Sequence, residues 1–333
     1  MRIVVTGANG FLGTHAVRRL AERGHVVRGF LLKGTAAGDA APWLAEVIEG
    51  DVREPADAAR AVEGCEALVH LAAWVADSGP AARFYDVNVK GTRVLLDAAV
   101  QAGLRRFVFT SSLTVHGFGD FCDATEDQAY DFNGVNAYAR SKIACERLLA
   151  HAHAKGRVQV AVVRPAFFPY GEHDRLSLPG LLGMLKGRLV PLPGGRDPRL
   201  GTVHGDNLGD GLALCAEHPA AAGQAFVIGD EGGLRFTDLY RALARAAGLP
   251  PPRFVPLPMP LARGVAGLVE GAWAVLPLPG LAPLSRYRLD VATHSTHFSI
   301  DKARRVLGYR PLVARDEGLE RAVRAVMART VDA

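Results

Sequence analysis

Through its first half the chain alternates short apolar runs with segments whose apolar residues recur every three or four positions. The runs at 2–5, 25–31, 46–49, 67–71, 105–110 and 158–164 have the length and composition of buried strands. Between them, 11–22, 55–62, 85–102 and 136–153 carry helical periodicity. That alternation predicts an α/β fold, a doubly wound parallel sheet joined by helical crossovers. The second half is less regular and rich in Pro and Gly, as at Leu189-Val-Pro-Leu-Pro-Gly-Gly195. A late strand at 225–228 is expected to return to the main sheet. The expected division is therefore a sheet domain over 1–165 plus about 202–230. A smaller, discontinuous region spans about 166–201 and 231–333.

The first predicted strand breaks into Gly7, Gly10 and Gly13, and the first predicted helix follows at once. Glycines lack Cβ, so the backbone can turn tightly and approach a pyrophosphate. Free N–H groups and the positive end of the helix dipole then hold the negative charge. The spacing is G-x-x-G-x-x-G, not the G-x-G-x-x-G of the ordinary Rossmann turn. A plain strand–helix turn is the structural alternative.

A second motif is Tyr138-Ala-Arg-Ser-Lys142, inside the helical run that begins at Asn136. Four-residue spacing puts Tyr138 and Lys142 on one helix face. Upstream, Phe107-Val-Phe-Thr-Ser-Ser112 is a strand ending in hydroxyls. A tyrosine with its reference pKa near ~10 is a poor acid–base at neutral pH. A nearby lysine ammonium and an oxidised nicotinamide favour the phenolate and lower that pKa. Tyr138 is the expected acid–base and Ser112 the expected holder of the reacting oxygen. Ser111 and Thr114 are the alternatives to Ser112. Lys142 is expected to bind the nicotinamide ribose.

With these motifs in place, the chain resembles the extended short-chain dehydrogenase/reductase superfamily over nearly its whole length. Thr6-Gly-Ala-Asn-Gly-Phe-Leu-Gly13 matches its dinucleotide turn, which implies cofactor contacts from Gly7, Asn9, Gly10, Phe11, Leu12 and Gly13. Gly50-Asp51-Val52 matches the acidic site that meets the adenine, implicating Asp51 and Val52. His70-Leu-Ala-Ala73 matches the segment beneath the adenine ribose, implicating Leu71, Ala72 and Ala73. Asn88-Val-Lys-Gly-Thr92 matches the start of the central interface helix, with Asn88 read as structural ahead of a proton relay. Ser111-Ser112, Tyr138 and Lys142 match the catalytic residues. Arg164-Pro165 followed by Tyr170-Gly171 matches the turn that passes the nicotinamide, implicating Pro165. The ending Phe298-Ser-Ile-Asp-Lys-Ala-Arg-Arg-Val-Leu-Gly-Tyr-Arg-Pro311 is most similar to the 3β-hydroxysteroid dehydrogenase branch, which includes reductases of long-chain 2-alkyl-3-oxo acids. The resemblance also implies a homodimer through helices near 88–102 and 136–153, with Val94, Leu95 and Ala98 in its apolar stripe.

Cofactor choice turns on the end of the second strand. Enzymes using NAD place an acid there for the ribose hydroxyls. This chain has Phe30-Leu31-Leu32-Lys33. The missing acid permits NADP, and Lys33 is the expected partner of its 2′-phosphate, with Arg28 and Arg53 as competitors. NADP is favoured and NAD is the alternative.

Bulk properties narrow the field. The 333 residues carry a net charge of +5 without a lysine run, so no nucleic-acid partner is expected. Four cysteines without paired or metal-ligand spacing read as reduced thiols of a cytoplasmic protein. No leader pattern and no metal site are read from the sequence. The apolar stretch 257–284 is interrupted by Arg263, Glu270 and prolines, which makes it a poor membrane span. Leu261, Val265, Leu268 and Leu276 suggest a helix capping a substrate pocket, or a peripheral membrane contact. His116 stands where most of the superfamily has tyrosine; it faces the pocket or the surface. Asp206 reads as a helix cap or ion-pair partner. The favoured function is an oxidoreductase acting on a bulky apolar alcohol or ketone. A nucleotide-sugar epimerase or dehydratase is the alternative, with Arg196, Arg199 and Arg286 available for a diphosphate. A non-catalytic dinucleotide-binding regulator is the remote one.

Overall fold

A computed structural model describes residues 1–77, 79–132, 135–175, 177–276 and 284–331. The first half gives β1 (Arg2–Thr6), α1 (Phe11–Glu22), β2 (Val26–Leu32), β3 (Glu46–Gly50), α2 (Pro55–Val62), β4 (Ala67–His70) and α3 (Ala81–Phe84). A π-helical turn, Tyr85–Lys90, leads into α4 (Gly91–Gln101), then β5 (Arg106–Thr110), β6 (Phe121–Ala124), α5 (Ala137–Ala154) and β7 (Gln159–Pro165). Next come β8 (Phe168–Tyr170), α6 (Ser177–Lys186), β9 (Leu189–Pro193), β10 (Arg199–Leu200), β11 (Thr202–His204), α7 (Gly205–Glu217), β12 (Gln224–Ile228) and β13 (Leu234–Arg235). The last are α8 (Phe236–Ala246), β14 (Arg253–Leu257), α9 (Met259–Val275), α10 (Arg286–Thr293), β15 (Thr296–Phe298), α11 (Asp301–Leu307) and α12 (Arg315–Val331).

Seven parallel strands form the main sheet in the order β12-β7-β5-β4-β1-β2-β3. The order in which successive strands are added reverses between β1 and β4, so their carboxyl ends form the crevice where a doubly wound sheet binds its ligand. Both faces of the central strands are covered, which is why β1 and β4 read as apolar runs, whereas the edge strand β3 is largely exposed. Ile3 and Val5 of β1 point to the side packed by α1 and α7, and Val4 to the side of α2, α4 and α5. All three have no exposed surface, and burying each contributes roughly 1.5–3 kcal/mol. The late strand β12 joins this sheet beside β7, as its pattern predicted.

A third cluster, including Tyr170, Leu178, Leu182, Leu239 and Leu319, holds α6, α8 and α12 around the short strands. Phe298, Ile300, Ala303, Leu307 and Tyr309 pack with the main-sheet core instead, although the expected division put them in the smaller region. The predicted helix 85–102 forms, with its first turns π-helical and continuous with α3 before it. There the Asn88 side chain bonds the backbone of Trp74, accepting from its N–H at 2.7 Å and donating to its carbonyl at 3.2 Å. Leu95 and Ala98 are buried in the protein's own core, so they supply no dimer stripe.

The stripe predicted on α9 faces outward. Leu261, Val265 and Leu268 are 55%, 41% and 77% exposed, and Ala262 and Ala266 are buried with Leu289 of α10. Two small side chains let the helices approach closely, which the leucine spacing alone did not reveal. The 277–283 part of the expected apolar stretch lies outside the described residues. Among the described residues no helix is long and apolar enough to cross a membrane.

Candidate active site

The glycine turn joins β1 to α1 as a cradle. Gly7 takes a left-handed φ of +66°, and the Gly10 N–H donates to its carbonyl at 3.0 Å. Gly10 caps α1 without a side chain, and the first turn carries no acid. The N–H groups of Phe11, Leu12 and Gly13 therefore lack helical partners. A Cβ on Gly13 would lie 2.0 Å from the Gly7 carbonyl oxygen, and one on Gly7 would lie 3.1 Å from the Ala72 Cα. Such an uncapped, acid-free helix start fits the pyrophosphate of a dinucleotide. Asn9 ties the turn to the loop after β2, donating to the Thr35 hydroxyl at 3.0 Å and the Ala36 carbonyl at 2.9 Å.

Beside the cradle, the Thr6 hydroxyl accepts from the N–H groups of Leu71 and Ala72 at 3.1 and 3.0 Å. Ala73 continues that half-buried strip. The Thr6 hydroxyl also bonds His70 Nδ1 at 2.7 Å, and His70 Nε2 bonds the Thr92 hydroxyl at 3.0 Å. Burial, then the Lys142 charge, lowers the His70 pKa to about 3, so its ring is neutral. Asp51 lies just beyond β3 in a tight pair with Arg53, at 2.6 Å to Nη2. That bonding holds its carboxyl below the ordinary range. Val52 follows and packs under Gly91.

No acid ends β2. Leu31 is buried in the core, and Leu32 is 60% exposed at the end of the strand. Lys33 is exposed and pairs with Asp57 at 3.0 Å. Arg28 drops out as a phosphate partner. It is buried in mid-strand, bonds Glu46 and donates to the Ala61 and Glu63 carbonyls at the end of α2. Arg53 is engaged by Asp51 and Asp86.

The tyrosine helix α5 starts at Asn136, whose side chain accepts from the Ala139 N–H at 2.9 Å. Tyr138, Lys142 and Glu146 follow at four-residue steps on one face. Tyr138 lies close enough to the Ser112 side chain for that group to lower its pKa. Ser112 Oγ caps a 3-10 turn, Leu113–His116, accepting from the Thr114 N–H at 3.2 Å and the Thr114 hydroxyl at 2.9 Å. The Ser111 hydroxyl turns away to Glu146. Of the three candidate hydroxyls, Ser112 is the one that meets the tyrosine.

Lys142 is buried, and its Nζ donates to the Thr110 carbonyl at 2.8 Å. Burial pushes Tyr138 up to about 12, with Ser112 pulling the other way. Burial pulls Lys142 down to about 8. The ammonium is turned to a carbonyl and sits 5.8 Å from the Tyr138 ring centre. Pro165 ends β7 nearby, and the next N–H, of Ala166, bonds the Ile228 carbonyl across to β12.

Asn88 is buried and donates to the Ser141 hydroxyl at 2.9 Å, so it braces α5 against the strip after β4. His116 is neither at the surface nor free to face a ligand. It is buried, with Nδ1 on the Ala129 carbonyl at 3.1 Å and Nε2 accepting from Arg164 at 3.1 Å. Asp206 is the expected ion-pair partner, of Arg321 at 3.0 Å, and it hydrogen-bonds His15 Nδ1 at 2.6 Å, but His204 provides the cap of α7. His15, Glu172 and Asp206 stand close enough to share a cation. Two arginines, Arg18 and Arg321, already neutralise Asp206. Glu146 went unnoticed in the sequence. Its signal was present: it continues the Tyr138–Lys142 spacing by one more turn.

A family model described as the NAD dependent epimerase/dehydratase family matches residues 3–229. The chain is 32% identical to the 3 beta-hydroxysteroid dehydrogenase/Delta 5-->4-isomerase of Mycobacterium tuberculosis, over 96% of this chain and 88% of that one. It is 28% identical to the 2-alkyl-3-oxoalkanoate reductase of Shewanella oneidensis, over 95% and 84%. Among solved structures it superposes on the dTDP-glucose 4,6-dehydratase of Streptomyces venezuelae, which contains NAD. The TM-score is 0.77, with 27% identity over 99% of this chain and 98% of that one. The chain belongs to the NAD-dependent epimerase/dehydratase family and is an oxidoreductase of the extended short-chain dehydrogenase/reductase type.

Proposed function

We propose that the protein interconverts a secondary alcohol and a ketone on a bulky apolar substrate, either a 3β-hydroxysteroid-like compound or a long-chain 3-oxo or 3-hydroxy acid. The observation that carries this reading is a cluster of aromatic rings near Tyr138. Phe118, just after the Ser112 turn, lies 5.8 Å from Phe167, two residues past Pro165. It lies 5.5 Å from Tyr287 and 6.2 Å from His294 of the α10 segment. Tyr287 is close enough to Tyr138 for the tyrosine's charge to raise its pKa, after burial. Flat apolar surface is stabilised against such rings.

In this mechanism Ser112 holds the substrate oxygen and Tyr138 Oη gives it a proton, or takes one in the oxidative direction. The Lys142 ammonium, released from the Thr110 carbonyl, steadies the phenolate. A bound nicotinamide supplies or accepts the hydride. NADP is the proposed cofactor, because no acid at Leu32 repels a 2′-phosphate and Lys33 is exposed beside it.

The sugar-nucleotide alternative is less well supported. Arg196 is paired with Asp120 and Arg286 with Glu270, which leaves Arg199 alone of its three candidate cations without an ion pair among the described residues. The test is nicotinamide absorbance with panels of 3β-hydroxysteroids, long-chain 3-oxo acids and nucleotide sugars, on wild type and Tyr138→Phe. Turnover of an apolar panel is expected, lowered at least ~10²-fold in the variant with dinucleotide affinity unchanged. Turnover confined to nucleotide sugars, or an active Tyr138→Phe, overturns the proposal.

A further inference from the structure

Glu146 lies one turn beyond Lys142 on α5 and is 3% exposed. Its Oε1 accepts from the Ser111 hydroxyl and from Arg164 Nε at 3.1 Å. Its Oε2 accepts from Arg164 Nη2 at 2.6 Å and from the Tyr130 hydroxyl at 2.7 Å. These partners come from different parts of the fold. Ser111 immediately precedes Ser112 past the end of β5, and its N–H donates to the Val163 carbonyl of β7 at 2.7 Å. Arg164 immediately precedes Pro165 at the end of β7. Its Nη1 donates to the Glu126 carbonyl at 2.9 Å and to His116.

We propose that Glu146 is a positioning residue for the reaction: it locks the Ser112 end of β5 and the Pro165 end of β7 to the helix face that carries Tyr138 and Lys142. The inference rests on the roles given above to Ser112, Tyr138 and Lys142. A buried ion pair adds little stability over a well-packed apolar replacement. What a carboxylate with four donors does supply is one fixed register for three elements, held to the tenths of an ångström that a reacting geometry needs.

The carboxylate also acts on charge. The groups facing Lys142 are Tyr138, Cys145 and Glu146 from α5 and His70 from β4. Burial raises the Cys145 thiol and keeps His70 neutral. Around Glu146 stand Arg164 from β7, Tyr130, and a neutral His116. Burial raises the Glu146 pKa, but bonds from Arg164, Ser111 and Tyr130 outweigh it and keep the group ionised. Glu146 is thus the permanent anion that favours a charged Lys142 among the described residues.

The experiment compares wild type, Glu146→Gln, Ser111→Ala and Tyr138→Phe, with a 3β-hydroxysteroid and a long-chain 3-oxo acid as probes. It measures kcat and kcat/KM against pH, dinucleotide Kd by fluorescence, and melting. Glu146→Gln keeps the shape and removes the charge. It is expected to lower kcat about tenfold with dinucleotide Kd little changed. The alkaline limb of kcat/KM moves to lower pH, because Lys142 loses the anion that keeps it protonated. A purely structural residue would lower melting without moving that limb.

If the unpaired Arg164 prevents folding, Ser111→Ala decides, since it frees the Ser112 end and leaves the ion pair. It is expected to lower kcat several-fold with the limb in place. A folded Glu146→Gln with wild-type kcat and limb overturns the inference, as does wild-type kcat in Ser111→Ala. Loss of activity in Tyr138→Phe beside either result confines the failure to Glu146. Retained activity in Tyr138→Phe sinks the reading of the site, and this inference with it.

Discussion

The choice between the two dinucleotides comes down to a few atoms at the end of β2. Leu31 packs inward and Leu32 outward, so the strand's alternation decides which of the two side chains is open to a ligand. The sequence placed the boundary within a residue but left that face undecided. Lys33 is exposed and shares a 3.0 Å pair with Asp57, whose carboxylate also accepts from the Asp51 N–H and from Arg60. Such an exposed pair is weak and gives way to a stronger anion. A 2′-phosphate brings nearly two negative charges. Lys33→Ala should therefore weaken NADPH binding by roughly tenfold, about the worth of one charge-assisted hydrogen bond, and leave NADH unchanged. Leu32→Asp should shift preference towards NADH; the same change at Leu31 would instead bury an unpaired charge in the core. Fluorescence titration of both reduced cofactors decides. Tighter NADH than NADPH in the wild type, with no effect of Lys33→Ala, would refute the NADP assignment.

Among elements, the β1–α1 junction has the least freedom. A Cβ at Gly13 would stand 2.0 Å from the Gly7 carbonyl oxygen, and backbone cannot yield as a side-chain tip can. Gly13→Ala must push α1 off β1 by an ångström or more and misaim the open N–H groups. We expect at least a tenfold loss of dinucleotide affinity and a lower melting temperature. Gly183 in α6 is the contrasting case, with nothing within 4 Å of its would-be Cβ. Gly183→Ala should raise stability by about 0.5–1 kcal/mol, because only chain entropy changes. Calorimetry and cofactor titration on the pair separate the two; unaltered binding in Gly13→Ala would make the turn merely structural.

These elements also show what was legible in the sequence. Strands buried on both faces and the helices between them leave strong local patterns, so their bounds were placed within a residue or two, the start of the 85–102 helix excepted. Motif residues on α1 and α5 were equally plain. The α9 stripe, the stripe on α4 and the role of His116 were not. In each case the periodicity was right, but tertiary packing chose the direction a side chain faces. The Glu146 hub was hidden for a related reason: its partners, Ser111, Tyr130 and Arg164, lie on three different segments.

At the scale of the whole molecule, buried imidazoles make stability depend on pH above the range where carboxylates act. His116 is lowered to about 4, by burial first and by the Arg164 charge second. His70 is lowered to about 3, and burial also lowers His15 and His297. Each binds its proton less readily in the folded chain than in the unfolded one, where an ordinary histidine titrates near 6.5. Their contribution is complete above that pH and is lost as the pH falls towards the folded value. Carboxylates held low enter later. Glu172, lowered to about 2 by His204 and its own backbone against the pull of burial, contributes until the pH falls below the ordinary carboxylate range. Between pH 7 and pH 5 the histidines therefore dominate, and His116 alone should cost about 2 kcal/mol over that interval. Urea unfolding at the two pH values measures the difference. Replacing the ring removes its titration, so His116→Phe should be less stable at pH 7, with Arg164 short of an acceptor, but should lose less on acidification. An equal loss in variant and wild type would show that His116 titrates alike in the folded and unfolded chains, against the bonds to Ala129 and Arg164 that hold it neutral.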